Sequence, residues 1–223
     1  MGTLYVVGTP IGNLEDLSGR AARVLGEVAL VAAEDTRRTR ALLSHLGVRK
    51  PLERLDANVE HSPRLQRVVD ALDAGDVALC SDGGMPLVSD PGAQLVQAAR
   101  AAGHRVEVVP GPSAVTAALA LAGVRADSFV FLGFLPRKAT AMARALEALA
   151  TDQRPAVAFE SPQRLLKALA IAADVLPERQ VAVARELTKV HEELRWGTAA
   201  ELATHYTAHP PKGEITLVFA APR

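Results

Sequence analysis

The sequence has 223 residues, 49% hydrophobic and 22% charged, with 25 basic and 25 acidic side chains and a formal charge of zero. That length allows one large domain or two small ones, and zero net charge excludes whole-surface attraction to nucleic acid or anionic membrane, leaving local basic patches as the only basis for either. The single cysteine, Cys80, excludes an intrachain disulfide and a thiolate zinc cluster and fits a reducing cytosol.

Read in order, short β-branched runs alternate with alanine- and leucine-rich helical patterns, the signature of an α/β sheet. The start, Met1 to Tyr5, is strand-like rather than a cleavable leader, and no apolar run reaches the roughly 20 residues of a membrane span, so a cytoplasmic protein is expected. Leu4–Val7 reads as a first strand ending in Gly8-Thr9-Pro10-Ile11-Gly12-Asn13. A helix over 16–25 follows, then a strand over 28–32 that runs into Glu34-Asp35-Thr36-Arg37. Ser62 and Pro63 look like the N-cap and first position of a helix to about Ala74. Val77–Cys80, a helix over 93–102, Val106–Val109 and a helix over 113–122 complete a first half.

Leu121-Ala-Gly-Val-Arg-Ala-Asp127 reads as a joint, giving domains at 1–122 and 123–223. The second half holds a strand over 129–132, a helix over 138–149, a strand over 156–159 and a helix over 162–173. Strands near 180–184 and 192–196, a helix over 198–206 and a strand over 215–219 follow. The strands flanking Leu187-Thr-Lys-Val-His-Glu-Glu193 are too close for a parallel crossover, so a mixed sheet is expected there.

Open α/β sheets hold ligands beyond the carboxyl ends of their strands. Here those ends carry TPIGN, EDTR, SDGGMP and PGPSA. One such loop is ordinary turn chemistry; four in one half point to a site. No G-x-G, G-K-[ST], H-E-x-x-H, C-x-x-C or G-x-S-x-G occurs, and the six histidines lack ligand spacing, so no metal is expected. These absences turn away from a phosphate-rich cofactor. A ligand with a ribose, a base and no polyphosphate suits the loops better, and S-adenosylmethionine is one.

TPIGNLEDLSGRA (9–21), AAEDTRRT (32–39), SDGGMPLVSDPG (81–92), VVPGPSAVTAAL (108–119), GFLPRK (133–138), FESPQRL (159–165), VARELTKVHEE (183–193) and KGEITLVF (212–219) together span nearly the whole chain. In this order they resemble the branch of the tetrapyrrole (corrin/porphyrin) methylase superfamily that methylates small-subunit ribosomal RNA. The resemblance implies two α/β domains of the tetrapyrrole-methylase type with a cofactor cleft between them, and a homodimer. It implies S-adenosylmethionine-dependent 2′-O-methylation of a cytidine ribose in the decoding region of 16S rRNA, acting on the RNA or the small ribosomal subunit. It also implies cofactor contacts at Thr9, Pro10, Asp82, Met85, Ser113, Ala114, the neighbourhood of Glu160, Ala184, Gly213, Glu214 and Ile215.

The sequence departs from the family pattern at three places. Gly83 and Met85 stand where S-D-A-G-T-P is usual, and 55–60 lacks the histidines of L-H-x-H-N-E. Many members also continue past a final strand where this sequence stops at Arg223. Within Ser81–Gly92, Asp82 reads as the functional carboxylate. Asp90, before Pro91, reads as the N-cap of the helix over 93–102.

Methyl transfer to a ribose hydroxyl needs a collinear approach and benefits from a base. Glu160, Glu186 and Lys189 are the leading catalytic candidates among Glu34, Asp35, Arg185 and Lys212. Lys189 serves as a base only if burial or a neighbouring cation depresses its pKa. Arg37, Arg38 and Arg40, with Arg137 and Lys138, form the candidate RNA-phosphate contacts. Phe134, Phe159 and Trp196 are candidate stacking platforms or core. A small-molecule tetrapyrrole methyltransferase and a non-catalytic, cofactor-binding ribosome-associated protein are the competing functions.

Overall fold

The computed structural model describes residues 1–55 and 63–222. Ser62, expected as an N-cap, and residues 56–60, compared above with the family's histidine stretch, lie outside the described residues. Contacts divide the chain into two compact units, Met1–Ser113 and Ala114–Arg223.

The first unit is a doubly wound parallel sheet. It runs β1 (Thr3–Val7), a 3-10 turn (Leu14–Asp16), α1 (Gly19–Glu27), β2 (Leu30–Ala33), α2 (Thr36–His45) and β3 (Leu52–Arg54). Then come α3 (Pro63–Ala74), β4 (Val77–Cys80), α4 (Ala93–Ala101) and β5 (Arg105–Val109). Strand order is β3-β2-β4-β1-β5, every pair parallel. Alternate side chains on a strand face opposite ways, and both faces are apolar. Leu4, Val6, Val77 and Leu79 pack under α3 and α4 with Val68, Leu72 and Leu95. Val7, Ala78 and Cys80 pack the other way, on α1 and α2, with Val24, Leu25, Leu42 and Leu43. Burial on both faces is why β4 reads as the unbroken apolar run Val-Ala-Leu-Cys.

The second unit runs α5 (Ala114–Leu121), β6 (Val130–Phe134), α6 (Ala139–Glu147), β7 (Ala156–Glu160), α7 (Pro162–Val175), β8 (Gln180–Arg185), β9 (Glu193–Thr198), α8 (Ala199–Ala208) and β10 (Ile215–Phe219). The order is β6-β7-β10-β8-β9. Strands β6 and β7 are parallel, while β10 runs against both neighbours and β8 against β9, so the sheet is mixed as its short connection implied. Its main core joins Met142, Leu146, Leu165, Leu169, Leu202 and Tyr206 of α6, α7 and α8 to Val181, Val183, Leu217 and Phe219 of the sheet.

The structure revises several boundaries. The expected joint after residue 122 falls one helix later than the division at 113/114, because α5 packs against β10 and β7. The helix expected from residue 16 is split: Asn13 caps the 3-10 turn, and Ser18 Oγ then accepts from Ala21 N at 3.1 Å to start α1. The strand expected at 28–32 is shifted to Leu30–Ala33. Helix α2 and strand β3 are additional to the elements the sequence pattern predicts; Asp35 caps α2 by accepting from Arg37 N. Asp90 is not the N-cap of α4. That position is Gly92, at φ 128° with no side-chain cap, and Pro91 stands outside the helix. A Cβ at residue 92 would also press on the Leu79 side chain, at 2.7 Å.

Candidate functional site

In the first unit, the loops after β1, β2 and β4 are joined by specific bonds. Thr9 N donates to Gly84 O and Gly84 N to Thr9 O, both at 2.9 Å. Gly8 and Gly111 touch backbone to backbone, and a Cβ on either would come within 2.8 Å of the other's main chain. Met85 lies against the same place, its sulfur 2.7 Å from where a Gly8 Cβ would stand. The departure at 85 therefore fills space beside the β1 loop. Beyond it, Leu87 (φ 73°) and Ser89 (φ 69°) hold left-handed conformations unusual for such side chains.

Asp82 sits at the centre of this network. Its Oδ1 accepts from Asp35 N at 3.0 Å, and its Oδ2 lies 3.6 Å from Arg38 Nε. Asp35 caps α2 and pairs with Arg37, whose Nη2 is 2.7 Å from Asp35 Oδ2; these bonds hold the Asp35 carboxyl well below its ordinary range. Burial pushes the Glu34 carboxyl up, reinforced by the charges of Asp90 and Asp82. Burial likewise pushes Asp90 up, with the Asp82 charge adding to it against the Ser81 hydroxyl. Asp90 is thus a partly buried carboxyl rather than the helix cap.

These loops enclose a hollow of about 250 Å³ lined by Thr9, Pro10, Leu14, Arg38, Leu42 and Asp82, with Thr39, Ala41, Cys80 and Ser81. Thr9 is 3% exposed, and its Oγ1 has no hydrogen-bond partner among the described residues. Burial raises the Cys80 thiol to about 12, so it is a neutral wall at neutral pH.

In the second unit, register gathers the expected residues at one rim of the sheet. Ile215 pairs with Glu160 on one side and with Arg185 on the other, and the next residue, Thr216, pairs with Ala184. The Glu160 side chain is fully buried; its Oε1 accepts from Ser161 N at 2.7 Å and its Oε2 lies 3.1 Å from Arg164 Nη2. Burial raises its carboxyl despite these partners.

Beside it, Lys189 Nζ donates to Glu186 Oε1 at 2.8 Å and to Glu214 Oε2 at 3.0 Å. Glu186 Oε1 also accepts from Glu214 N at 2.9 Å, while Glu186 N donates to Glu214 O. Burial works to depress the Lys189 ammonium, but the two carboxylates outweigh it and hold the pKa above its ordinary value. The condition for Lys189 to act as a base is therefore not met. Glu186 is lowered by Lys189 and by the Glu214 amide, which together clasp it to the start of β10. Glu186 (φ 52°) and Thr188 (φ 67°) carry left-handed backbone in this turn, and a Cβ on Gly213 would collide with the Glu186 carboxyl.

The basic candidates lie in different units. Arg37 and Arg38 are engaged by Asp35 and Asp82, while Arg40 is exposed on α2. Arg137 and Lys138 are exposed at the start of α6. Their loop is pinned by α7, through Arg164 Nη2 to Pro136 O (3.0 Å) and Lys167 Nζ to Arg137 O (3.0 Å). The spacing of Glu160 and Arg164, four apart across a helix start, is the sequence signal that marks Arg164. Phe134 is 57% exposed and meets Phe159 edge-on at 5.5 Å. Trp196 lines a larger hollow of about 880 Å³ with Arg179, Gln180 and Ala220. Register places that hollow at the end of the sheet away from Glu160, and Arg179 is consumed there by the carbonyls of Ala220, Arg154 and Leu149. Among the described residues, no group of three or more His, Cys, Asp or Glu is placed to hold a metal, and no helix is long and apolar enough to cross a membrane.

A family model for Tetrapyrrole (Corrin/Porphyrin) Methylases matches residues 3–203. The chain belongs to the tetrapyrrole methylase family. Among its relatives, a Thermotoga maritima protein named Ribosomal RNA small subunit methyltransferase I is 45% identical over 222 residues, 99% of each chain. A Pseudomonas aeruginosa protein of the same name is 50% identical over 205 residues, covering 90% of this chain and 72% of its own. Solved tetrapyrrole methylase-like structures confirm the fold. Diphthine synthase superposes with a TM-score of 0.75 at 15% identity, covering 99% of this chain and 90% of that one. Uroporphyrin-III-C-methyltransferase from Thermus thermophilus gives 0.68 at 24%, covering 98% and 94%.

Proposed function

We propose that this protein is an S-adenosylmethionine-dependent methyltransferase of small-subunit (16S) ribosomal RNA, and that its acceptor is the ribose 2′-hydroxyl of a cytidine in the decoding region. The observation that carries this reading is the 45–50% identity, over nearly the whole chain, to proteins named Ribosomal RNA small subunit methyltransferase I. The residues present fit the cofactor: close-approaching glycines and a partly buried carboxylate suit a ligand of ribose, base and amino acid better than a polyphosphate.

When bound, S-adenosylmethionine supplies a methyl group on a sulfonium, already activated for in-line displacement. The chain's own task is then to position and deprotonate the acceptor. Thr9, Pro10, Asp82, Met85 and Ser113 in the first unit, with Ala114, Glu160, Ala184, Gly213, Glu214 and Ile215 in the second, are the proposed cofactor contacts. Glu160 is the proposed base, because burial makes its carboxylate more proton-avid than an exposed one. Glu186 and Lys189 position the β10 start by clasping Glu214. Arg37, Arg38, Arg40, Arg137 and Lys138 supply phosphate contacts, which makes RNA binding fall with salt. The working form is a cytoplasmic homodimer.

Purified protein incubated with labelled S-adenosylmethionine and undermodified small subunits, followed by nucleoside analysis, tests this directly. Label in 2′-O-methylcytidine is the expected result. Label in a base, or in added tetrapyrrole instead of RNA, would overturn the acceptor assignment, and no transfer would overturn the enzymatic reading.

A further inference from the structure

We propose that the 250 Å³ hollow of the first unit receives the unstacked pyrimidine base of the target nucleotide. The proposal rests on the reading of the protein as a ribosomal RNA methyltransferase and extends it to the residues that choose the base. Four observations carry it.

The hollow lies past the carboxyl ends of β1 and β4, adjacent strands of a parallel sheet, where such folds take ligands. Its volume falls below the roughly 300–1,000 Å³ of pockets that enclose drug-sized ligands, so it suits one small ring rather than a whole nucleoside cofactor. Its walls combine apolar Pro10, Leu14 and Leu42 with convergent polar groups. Among those groups, the buried Thr9 hydroxyl has no hydrogen-bond partner among the described residues, so an incoming ligand completes its hydrogen bonding.

Asp82 Oδ1 accepts from Asp35 N, and its Oδ2 faces the Arg38 guanidinium at 3.6 Å, so one wall of the hollow is an ion pair that an incoming base edge would meet already formed. Single-stranded RNA is read in this way, by splaying a base into a pocket and bonding its Watson–Crick edge. Thr9, Pro10 and Asp82 belong both to this hollow and to the proposed cofactor contacts. Methyl transfer requires such a shared wall, since acceptor and donor must meet at about 3–3.5 Å.

Ala41 lines the hollow from the exposed face of α2 and is outside the cofactor set, so Ala41→Phe fills the hollow without disturbing the core. Three measurements on wild type and variant separate the possibilities: cofactor affinity by calorimetry, binding of cytidine and adenosine 5′-monophosphates by NMR titration, and methyl transfer to undermodified small subunits. The expected result is cofactor affinity within about twofold, cytidine monophosphate weakened at least about tenfold, and transfer slowed on the order of 100-fold, as for a misplaced acceptor. Parallel loss of cofactor affinity, or wild-type preference for the adenine nucleotide, would assign the hollow to the cofactor and overturn the proposal. So would unchanged cytidine monophosphate binding in the variant. Wild-type protein that binds cytidine monophosphate but transfers no methyl group would sink the enzymatic reading while leaving the pocket assignment standing.

Discussion

The backbone amide of Asp35 donates to the carboxylate of Asp82 at 3.0 Å, tying the turn that starts α2 to the loop after β4 across 47 residues of sequence. One carboxylate therefore organises two of the four strand-end loops. Asp82→Ala leaves the Asp35 amide without its acceptor; because Asp82 is partly exposed and water can reach it, the cost is expected near the lower end of about 1–3 kcal/mol. Cofactor affinity should fall far more in Asp82→Ala than in Asp90→Ala. Calorimetric titration and urea unfolding of both variants check this, and equal losses in affinity would refute the division of roles.

Glu34 gives a pH signature. Its carboxyl is raised by burial and by the charges of Asp90 and Asp82, so the folded state holds its proton more tightly than the unfolded state. A raised carboxyl stabilises the fold relative to neutral pH only below the unfolded value of about 4.3, and that advantage is lost as pH rises through the folded value. Glu34→Gln should therefore raise Tm at pH 7, with the gain vanishing below about pH 4. A gain that is constant across pH would mean the effect is packing rather than charge.

Lys189 separates a clasp from a base. Its ammonium joins Glu186 and Glu214 and is held above its ordinary pKa. Lys189→Met should cost on the order of 1 kcal/mol, since the pair is partly solvated, and should weaken cofactor binding by loosening the start of β10. At saturating cofactor and RNA, turnover and the basic limb of the pH–rate profile should persist. Abolished turnover with unaltered cofactor affinity would restore Lys189 as the base.

The strand-and-helix alternation was readable because β4 and β8 are buried runs and the helices between them are amphipathic. The mixed second sheet was readable from one short connection. What escaped was set by contacts distant in sequence. The cap of α4 is Gly92 rather than Asp90, and the φ of 128° and the Leu79 side chain that require glycine there are set by the fold and not by the local sequence. Lys189 reads as a possible base in the sequence because nothing in LTK reveals that Glu214, 25 residues on, will reach it. Thr9 is marked by the resemblance as a ligand contact, but only the fold shows that its hydroxyl is buried without a partner among the described residues.

Gly213 tests the geometry of that same clasp. It holds φ 86°, and any side chain there meets the Glu186 carboxyl. Gly213→Ala should destabilise by more than about 1 kcal/mol from backbone strain alone, and it should displace Glu186 from the Glu214 amide. Amide exchange at Glu214 reports that displacement, and unchanged protection would show that the clasp tolerates the new methyl group.

Thr9→Val sets stability against function at a single atom. The substitution keeps the branched shape and deletes a buried hydroxyl that has no hydrogen-bond partner among the described residues. Burying an unpaired hydroxyl costs roughly 1–3 kcal/mol, so the variant is expected to be more stable, by about 1 kcal/mol, in urea unfolding. Its binding of cytidine monophosphate should weaken and its methyl transfer should slow, because the hydroxyl is then missing from the ligand's bonding set. A variant that is less stable than wild type would show that the hydroxyl already has a partner in the protein. A variant that is more stable but equally active would show that the hydroxyl serves no ligand.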